Sequence, residues 1–381
     1  MKRAVVVDDS AICRAQLRDW LEADGDVEVV GVAADGESAV ELITRLRPDV
    51  ATIDLRLPGM SGLEVVTVLM ARAPLPLLVL TGDPTGDDPE LAFEAIRRGA
   101  LDLLLKPSVD DAEAIKALRG HVRWLATVPV VRHLDGHRTS ERAQPGSEPG
   151  IALPDFGKPG TEPGNRAPDM FRGDAARAAP PAPRARPAGD PTILGIAASA
   201  GGPSALATVL GALSPELPVC VAIVQHLPRG FAPSFVSFLQ ARCQLGVRLG
   251  EAGMVPRAGT VVLAPDDHHL ELVDGRFALT AGPPCEGHRP SGTVLLRSLA
   301  QLGSSTIGLV LSGIGRDGAD GLRAMRDRNA ITFAQDAATS VVYGMPRAAV
   351  EDGAVQQSLP VTAIGDAIAS AVTWIRRWRR P

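Results

Sequence analysis

Short apolar runs that alternate with longer helical stretches occupy two separate parts of the chain, and this alternation constrains the fold more than any other feature. A parallel strand that is covered on both faces reads as a continuous apolar run, and a helix usually connects it to the next strand. The pattern therefore predicts an α/β protein with two doubly wound parallel-sheet domains. The runs are 4–7, 27–32, 50–53, 77–80 and 101–105 in the first part, and 193–198, 219–224, 260–264, 306–312 and 330–334 in the second.

The segment between the two parts has a different composition. From about residue 128 to 191 it is rich in Pro, Gly, Arg, Ala and Glu, and its apolar residues show no periodicity. Such a segment does not bury a core, so we interpret it as a disordered, flexible or partly extended linker. We therefore expect a first domain at 1–125, a linker at 126–190 and a second domain at 191–381.

Length, charge and cysteine content narrow the class of protein. The 381 residues are enough for two domains of a typical ~150 residues each plus a linker. A net charge of -5 argues against a dedicated nucleic-acid or anionic-membrane surface. The four cysteines are widely spaced, so we expect free thiols in a reducing compartment. The sequence offers neither ~18 uninterrupted apolar residues for a membrane span nor a signal peptide, which predicts a cytoplasmic protein.

Carboxylates directly follow two of the predicted strands in the first domain. Asp8 and Asp9 follow the first strand, and Asp54 follows the third. Because the carboxyl ends of neighbouring parallel strands line one crevice, we expect these side chains to converge, and Mg²⁺ is the usual compensation for their repulsion. Thr81 and Lys106 follow two further strands, and their hydroxyl and ammonium groups can help to hold a phosphoryl group on a carboxylate. A single Asp at a loop more often caps a helix, but the five positions together favour a phosphorylation site.

About the first 120 residues resemble the receiver domains of two-component response regulators. The motifs that carry the resemblance are Val-Val-Asp-Asp-Ser (6–10), Ile-Asp-Leu-Arg-Leu-Pro-Gly-Met-Ser-Gly-Leu-Glu (53–64), Leu-Thr-Gly (80–82) and Leu-Lys-Pro (105–107). The resemblance implies a flavodoxin-like fold and a phosphorylated aspartate. The implied residues are Asp54 as phospho-acceptor, Asp8, Asp9, Asp54 and the carbonyl of Arg56 as Mg²⁺ ligands, and Thr81 and Lys106 as partners of the phosphoryl oxygens.

A serine in a glycine-rich turn is the main feature of the second domain. The segment 193–203 reads as a strand, a tight turn with Ser199 and a helix start, which suits an exposed nucleophile beside an oxyanion site. The same turn is equally suited to cradle a phosphate, and a lone serine there more often caps the helix. His226 and Asp317 also follow predicted strands, so one crevice can collect all three residues.

The segment 193–375 resembles the chemotaxis protein-glutamate methylesterases. The resemblance implies a Rossmann-like domain in which Ser199 is the nucleophile, His226 the general base and Asp317 the group that orients the imidazole. It also implies an acyl-enzyme, release of methanol, and a second activity as a glutamine deamidase. The motifs are 198–203, 224–228, 263–272, 288–291, 312–321 and 334–349, of which the first reads Ala-Ser-Ala-Gly-Gly-Pro and the fifth Ser-Gly-Ile-Gly-Arg-Asp-Gly-Ala-Asp-Gly.

Some positions depart from these families. Leu103 and Leu104 stand where receivers usually carry an aromatic switch residue, which favours signal transmission by loop movement over ring rotation. Ala200 replaces the usual Thr after the serine, Ile314 replaces the usual Met, and Gly292 stands where a bulkier or more polar residue is common. Because Ile314 neighbours the expected oxyanion region, we expect rate or substrate preference to differ.

The two resemblances together imply a phosphorylation-activated methylesterase in chemotaxis or a related chemosensory pathway, whose first domain covers the Ser199 crevice until it is phosphorylated. The implied partners are a histidine kinase as phosphodonor and the cytoplasmic domains of methyl-accepting chemoreceptors as substrate, with Mg²⁺ needed for phosphorylation and no cofactor for ester hydrolysis. No nucleic-acid partner or membrane insertion is expected. Two alternatives stay open: a phosphate sink or scaffold that only binds receptors, and an esterase in a pathway controlling surface motility, biofilm or development.

Two further features receive no catalytic role. His268 and His269 are adjacent on a predicted extended segment, so their side chains point to opposite faces and do not form a metal pair. The end of the chain, 374–380, is basic and contains tryptophan, and we expect it to form a solvated terminal helix rather than a surface for anionic membranes or receptors.

Overall fold

The first domain is built around one parallel sheet in a computed structural model that describes residues 1–82, 88–128 and 190–378. Its strand order is β2-β1-β3-β4-β5, the flavodoxin-like order, and every neighbouring pair is parallel. The α/β fold class predicted from the apolar runs is thereby confirmed. The elements are β1 (Lys2–Val7), α1 (Ala11–Glu22), β2 (Val27–Ala33), α2 (Gly36–Leu46), β3 (Val50–Asp54), α3 (Gly62–Arg72), β4 (Leu77–Thr81), α4 (Asp88–Arg97), β5 (Asp102–Leu105) and α5 (Ala112–Leu125).

Helix caps fix the loops at the carboxyl edge of this sheet. Ser10 and Asp35 accept hydrogen bonds from the first turns of α1 and α2, and Asp111 does the same for α5. Ser61 and Glu64 form a reciprocal capping box at the start of α3. Because these caps lie close to the strand ends, the loops that carry the acidic residues have defined paths.

The second domain has a seven-stranded parallel sheet in the order β14-β13-β12-β6-β7-β9-β8 and a separate antiparallel hairpin, β10-β11. Strands β6, β7 and β12 are buried along their whole length, as their continuous apolar runs predict. The elements are β6 (Thr192–Ala198), α6 (Gly202–Gly211), β7 (Val219–Gln225), α7 (Ala232–Gln240), β8 (Gly246–Leu249), β9 (Thr260–Leu263), β10 (His269–Val273), β11 (Arg276–Thr280), α8 (Gly292–Ala300), the 3₁₀ turn Gly303–Ser305, β12 (Thr306–Val310), α9 (Ala319–Arg326), β13 (Ile331–Gln335), α10 (Met345–Glu351), β14 (Gln357–Leu359) and α11 (Val361–Trp378).

The terminal helix α11 begins well before the segment 374–380 that was expected to be solvated, and in the described part of that segment Ile375 is buried whereas Arg377 is exposed. Ile364, Ile368 and Val372 are fully buried in the same hydrophobic cluster as α6, and Trp374 packs against that cluster. The alternation of apolar residues at helical spacing along 364–375 explains this packing. Residues 379–381, like most of the predicted linker at 126–190, lie outside the described residues.

A cluster of phenylalanines joins the two domains. Phe93 on α4 is buried, and its ring centroid lies 5.2 Å from those of both Phe235 and Phe238 on α7 and 6.1 Å from that of Phe231. The guanidinium of Arg242 lies over the ring of Phe238, 3.8 Å from its centroid. The two domains therefore share a continuous apolar contact through α4 and α7.

Candidate active site and phosphorylation site

The acidic residues of the first domain meet at the carboxyl edge of the sheet. One carboxylate oxygen from each of Asp8, Asp9 and Asp54 lies within 4.8 Å of the others, as the strand ends predict. Asp8 and Asp54 are buried, whereas Asp9 is exposed. The ammonium of Lys106 lies 2.7 Å from Asp8 Oδ2 and 2.6 Å from Asp54 Oδ2, so it bridges the two buried carboxylates.

Burial and charge act in opposite directions on the pKa values of this cluster. Burial raises the pKa of Asp54, the bond from Lys106 partly offsets the rise, and Asp8 adds to it. Burial disfavours the charged form of Lys106, but Asp54 and Asp8 together raise its pKa. Lys106 therefore remains an ammonium at neutral pH and offsets part of the negative charge of the two buried carboxylates.

Two further predicted residues of this site contact Asp54 or Lys106 through their backbones. The backbone N–H of Arg56 donates to Asp54 Oδ1 at 3.2 Å. Thr81 is buried at the end of β4, and its carbonyl accepts a 2.8 Å hydrogen bond from the N–H of Lys106. Three carboxylate oxygens within 4.8 Å of one another, two of them on buried side chains, form a donor set that suits a hard cation.

In the second domain, three neighbouring strands bring Ser199, His226 and Asp317 to one edge of the sheet. Ser199 and His226 directly follow β6 and β7, and Asp317 lies in the loop between β12 and α9. The ring atom Nε2 of His226 is 2.8 Å from Asp317 Oδ2. The backbone N–H of His226 donates to the carbonyl of Ala198, the residue before the serine. His226 Nδ1 has no hydrogen-bond partner within the described residues, so Nδ1 is the ring atom left for the serine.

The carboxylate of Asp317 is hydrogen-bonded to four groups. Besides His226, it accepts from Ser291 Oγ at 2.6 Å, from the Gly292 N–H at 2.6 Å and from the Thr293 N–H at 2.9 Å. The last two groups belong to the N-terminus of α8, which favours a negative charge. Burial alone opposes ionisation, but the bonds from His226, Ser291 and Thr293 hold the pKa of Asp317 well below its ordinary value. The carboxylate is thus charged when it orients the imidazole.

The turn around Ser199 is fixed by backbone geometry and by Gln225. Gly201 has φ 73°, a conformation that favours glycine, and it precedes the first turn of α6. The Gln225 side chain donates to the carbonyls of Ser199 at 2.8 Å and His226 at 3.0 Å. A Cβ on Gly202 would lie 2.1 Å from Gln225 Oε1, so glycine is required for this contact. Gln225 therefore links the backbones of the nucleophile and the base.

A second loop lies against the serine. The Ser199 N–H donates to the carbonyl of Ser312 at 3.0 Å, and a Cβ on Gly313 would lie 2.8 Å from Ser199 Cβ. In the described part of the chain, the backbone N–H groups of Ala200 and Ile314 donate no hydrogen bond. Ala200 directly follows Ser199, and Ile314 follows Gly313, the residue that lies against Ser199, so these two N–H groups are candidate donors to an oxyanion.

The sequence patterns missed several residues of this site. Gln225, His288 and Ser291 lie in the quoted motifs, but no pattern assigned them a role. His288 belongs to the site because its ring stacks on that of His226, with centroids 3.8 Å apart. Ser291 is the N-cap of α8, and its position before a helical run is a signal that could have identified it. The roles of Gln225 and His288 depend on contacts across the sheet edge and carry no local signal.

In the comparisons with known proteins, each of the two domains matches a separate family. The family description "CheB methylesterase" matches residues 194–368, and "Response regulator receiver domain" matches 4–119. A relative from Anaeromyxobacter dehalogenans, named protein-glutamate methylesterase/protein-glutamine glutaminase 2, is 40% identical over 96% of each chain. One from Cupriavidus pinatubonensis, named protein-glutamate methylesterase/protein-glutamine glutaminase 1, is 37% identical over 97% of this chain and 98% of its own. The Thermotoga maritima CheB methylesterase catalytic domain is 31% identical over 47% of this chain and 98% of its own, with a TM-score of 0.46.

Fold, site and relatives together define a response regulator whose output domain is a hydrolase. More specifically, the chain belongs to the protein-glutamate methylesterase/protein-glutamine glutaminase family. Both resemblances inferred from the motifs are confirmed. Among the described residues, no helix combines the length and apolar character that crossing a membrane requires. The roles of individual site residues and the domain boundaries stay predictions.

Proposed function

We propose that this protein hydrolyses glutamate methyl esters on methyl-accepting chemoreceptors, deamidates receptor glutamines, and does both under the control of phosphorylation at Asp54. The observation that carries the proposal is the 2.8 Å bond between His226 and Asp317 at the sheet edge that also holds Ser199. The names of the relatives, protein-glutamate methylesterase/protein-glutamine glutaminase, support the substrate class.

Ester hydrolysis follows from the roles of the three residues. Ser199 Oγ attacks the ester carbonyl carbon while His226 Nδ1 takes its proton, and the charged Asp317 stabilises the imidazolium through Nε2. The N–H groups of Ala200 and Ile314 donate to the oxyanion, a contribution typically worth about 10²–10³ in rate per donor. The intermediate expels the methoxy group, which takes the proton from His226 and leaves as methanol. Water, activated by His226, then releases glutamate from the acyl-enzyme.

Deamidation uses the same atoms with a different leaving group. A glutamine amide forms the same tetrahedral intermediate on Ser199, and His226 protonates the nitrogen, so that ammonia leaves. The acyl-enzyme is then identical to that formed from the methyl ester. One site therefore supports both activities named for the relatives.

Phosphorylation is assigned to the acidic cluster of the first domain. Asp54 is the phospho-acceptor in this proposal. Asp8, Asp9 and Asp54, whose carboxylate oxygens lie within 4.8 Å of one another, would hold Mg²⁺ together with the carbonyl of Arg56, the residue whose backbone N–H donates to Asp54. Mg²⁺ would neutralise the carboxylates and the incoming phosphoryl group. Lys106, which bridges Asp8 and Asp54, and Thr81 on the neighbouring strand would bind the phosphoryl oxygens.

The contact between the domains supplies a route for control. Helix α7 starts six residues after His226, and its phenylalanines pack against Phe93 of the first domain. Phe93 lies on α4, the helix that follows the strand with Thr81. Movement of this strand end on phosphorylation would shift α4, weaken the phenylalanine contact and open the Ser199 crevice.

The implied partners follow from the two chemistries. A histidine kinase would supply the phosphoryl group, and the substrates would be glutamate esters and glutamines on the cytoplasmic helices of chemoreceptors. Because both lie in the cytoplasm, the protein would act there. Flagellar chemotaxis and other chemosensory pathways use the same chemistry, so the chemistry of the site does not distinguish between them.

Methanol release from methylated receptor membranes tests the proposal. The wild-type protein, Ser199→Ala and Asp54→Ala are compared with and without a small-molecule phosphodonor plus Mg²⁺. Ser204→Ala is the matched control, since Ser204 is an exposed serine on α6 close to the nucleophile. We expect release that requires Ser199, is unchanged in Ser204→Ala, and increases with phosphodonor only when Asp54 is present.

Other outcomes favour the alternatives. A folded wild-type protein that binds receptors but releases no methanol under any condition would be a binding module or phosphate sink. If methanol release requires Ser199 but does not respond to phosphodonor, the protein is an esterase, and the proposed control by phosphorylation of Asp54 is wrong.

A further inference from the structure

We propose that His288 is a positioning residue for the general base, and that its flat ring is a platform that keeps the His226 ring in the plane required by both Asp317 and Ser199. The inference deepens the proposed hydrolase function and rests on it. The two imidazole rings are stacked with centroids 3.8 Å apart and an angle of 14° between their planes. A ring in this position blocks rotation of His226 about its Cβ–Cγ bond, because any tilt would drive one edge into His288.

The platform itself is built into a rigid turn. The backbones of Cys285 and His288 exchange two hydrogen bonds of 3.0 Å, and the two residues between them, Glu286 and Gly287, both have positive φ. This combination defines a tight type I′ turn. Arg289 then donates to the carbonyl of Gly282 at 3.0 Å, which ties the turn back to the preceding segment.

The same short segment braces the other side of the base. Ser291 lies three residues after His288 and donates to Asp317, which in turn holds His226. His269 secures the segment, since its Nδ1 accepts from the Ser291 N–H at 3.2 Å and its Nε2 bonds the carbonyl of Pro283 at 3.1 Å. The base is therefore fixed from its face by His288 and from its edge through Ser291 and Asp317, both set by one segment.

Electrostatics agree with a neutral platform. Burial and the neighbouring His226 lower the pKa of His288 to about 4, while Asp317 acts in the opposite direction. The charged or titratable groups that act on His288 are His226 and Asp317 in the second domain and His121 on α5 of the first. A neutral ring can face the imidazolium that forms during catalysis, and its π face stabilises that cation.

Three variants separate positioning from inert packing. His288→Ala removes the platform, and His288→Phe keeps a flat ring of similar size that cannot titrate. His268→Ala is the matched control, because His268 Nδ1 bonds the carbonyl of Asp266, and within the described residues no hydrogen bond or ring contact joins His268 to Ser199, His226 or Asp317. We expect His288→Ala to lower kcat about 100-fold with little change in KM, the size of loss that a small misplacement of a catalytic group causes. His288→Phe should restore kcat to within about 3-fold of wild type, and His268→Ala should match wild type.

Two readouts do not depend on receptor substrate. One is the rate at which a fluorophosphonate labels Ser199, which requires an oriented base. The other is the downfield proton NMR signal of the hydrogen bond between His226 and Asp317. In His288→Ala we expect slow labelling and no downfield signal, and in His288→Phe we expect wild-type labelling and an intact signal. Both measurements are informative even if the receptor assay shows no methanol release.

The proposal is overturned by either of two results. One is a folded His288→Ala variant with wild-type labelling and an intact downfield signal, which would make the stack incidental. The other is equal loss in His288→Ala and His288→Phe with both proteins folded, which would mean that the imidazole chemistry of His288, and not its flat surface, is required. Circular dichroism and thermal unfolding of each variant establish that the proteins are folded.

Discussion

Asp317 is hydrogen-bonded to four groups of the second-domain site, those of His226, Ser291, Gly292 and Thr293. We therefore expect activity to depend more on its charge than on any other single feature of the site. Replacing it by Asn keeps the shape but removes the charge that stabilises the His226 imidazolium. It also places an amide donor among the Gly292 and Thr293 N–H groups, which need acceptors. We expect Asp317→Asn to lower kcat about 10⁴-fold, as for the corresponding change in serine proteases. Methanol release measures the loss, and activity within tenfold of wild type would contradict the assignment.

The lowered pKa of Asp317 also predicts a pH dependence of stability. In the unfolded chain an Asp has a pKa of about 3.9, and in the folded protein that of Asp317 lies well below this value. The folded state therefore binds fewer protons, and the stabilisation from Asp317 is fully present above about pH 4 and is lost as pH falls below it. Urea unfolding from pH 7 to pH 3 should show a steeper loss for wild type than for Asp317→Asn. Equal slopes would contradict the strong hydrogen bonding of Asp317.

Ser291 acts on the base only through Asp317, so its removal should have a graded effect. Ser291→Ala deletes the 2.6 Å bond to Asp317 and the N-cap of α8. A hydrogen bond to a charged group contributes about 1.5–3 kcal/mol and a serine N-cap about 1 kcal/mol, so we expect stability to drop by about 2–4 kcal/mol. Because Asp317 keeps its bonds to His226, Gly292 and Thr293, we expect kcat to fall only about tenfold. Ser291→Thr, which can keep the hydroxyl, is the control. Kinetics of methanol release and urea unfolding together check both effects.

At the scale of elements, buried strands were predictable and edge elements were not. Strands β6, β7 and β12 are covered on both faces and read as apolar runs, so the sequence located Ser199, His226 and Asp317 at their ends. Strands β8 and β14 lie at the two sheet edges and are half exposed, so they lack that signal. Strand β10 begins at His269, in a segment predicted to be extended, but its pairing with β11 in a separate hairpin was not predicted. The bond from Ser291 to Asp317 spans 26 positions and depends on how α8 packs against α9, which no local pattern records.

Two glycines of the first domain, one of them in helix α5, allow the stability of the domain to be tested without changing a residue of either site. Gly120 lies within α5, and a Cβ there would meet no heavy atom within 4 Å. Because glycine has the larger conformational entropy in the unfolded chain, Gly120→Ala should stabilise the first domain by about 0.5–1 kcal/mol. Gly99→Ala is the contrasting variant, since Gly99 has φ 111° and a Cβ would press on Met70 at 3.0 Å, so it should destabilise. Urea unfolding of the full chain measures both signs.

At the scale of the whole molecule, control of the second domain depends on how strongly Phe93 holds α4 against α7. Replacing a buried phenylalanine by alanine typically costs about 3–5 kcal/mol, and here much of that contact lies between domains. If the packed arrangement restrains the Ser199 crevice, Phe93→Ala should raise methanol release without phosphodonor and reduce the further gain when phosphodonor and Mg²⁺ are added. Val109→Ala, at an exposed apolar position of the first domain, should change neither value. An unchanged basal rate in Phe93→Ala, with full activation retained, would mean that the phenylalanine contact joins the domains without restraining the enzyme, and that the signal from Asp54 reaches Ser199 by another path.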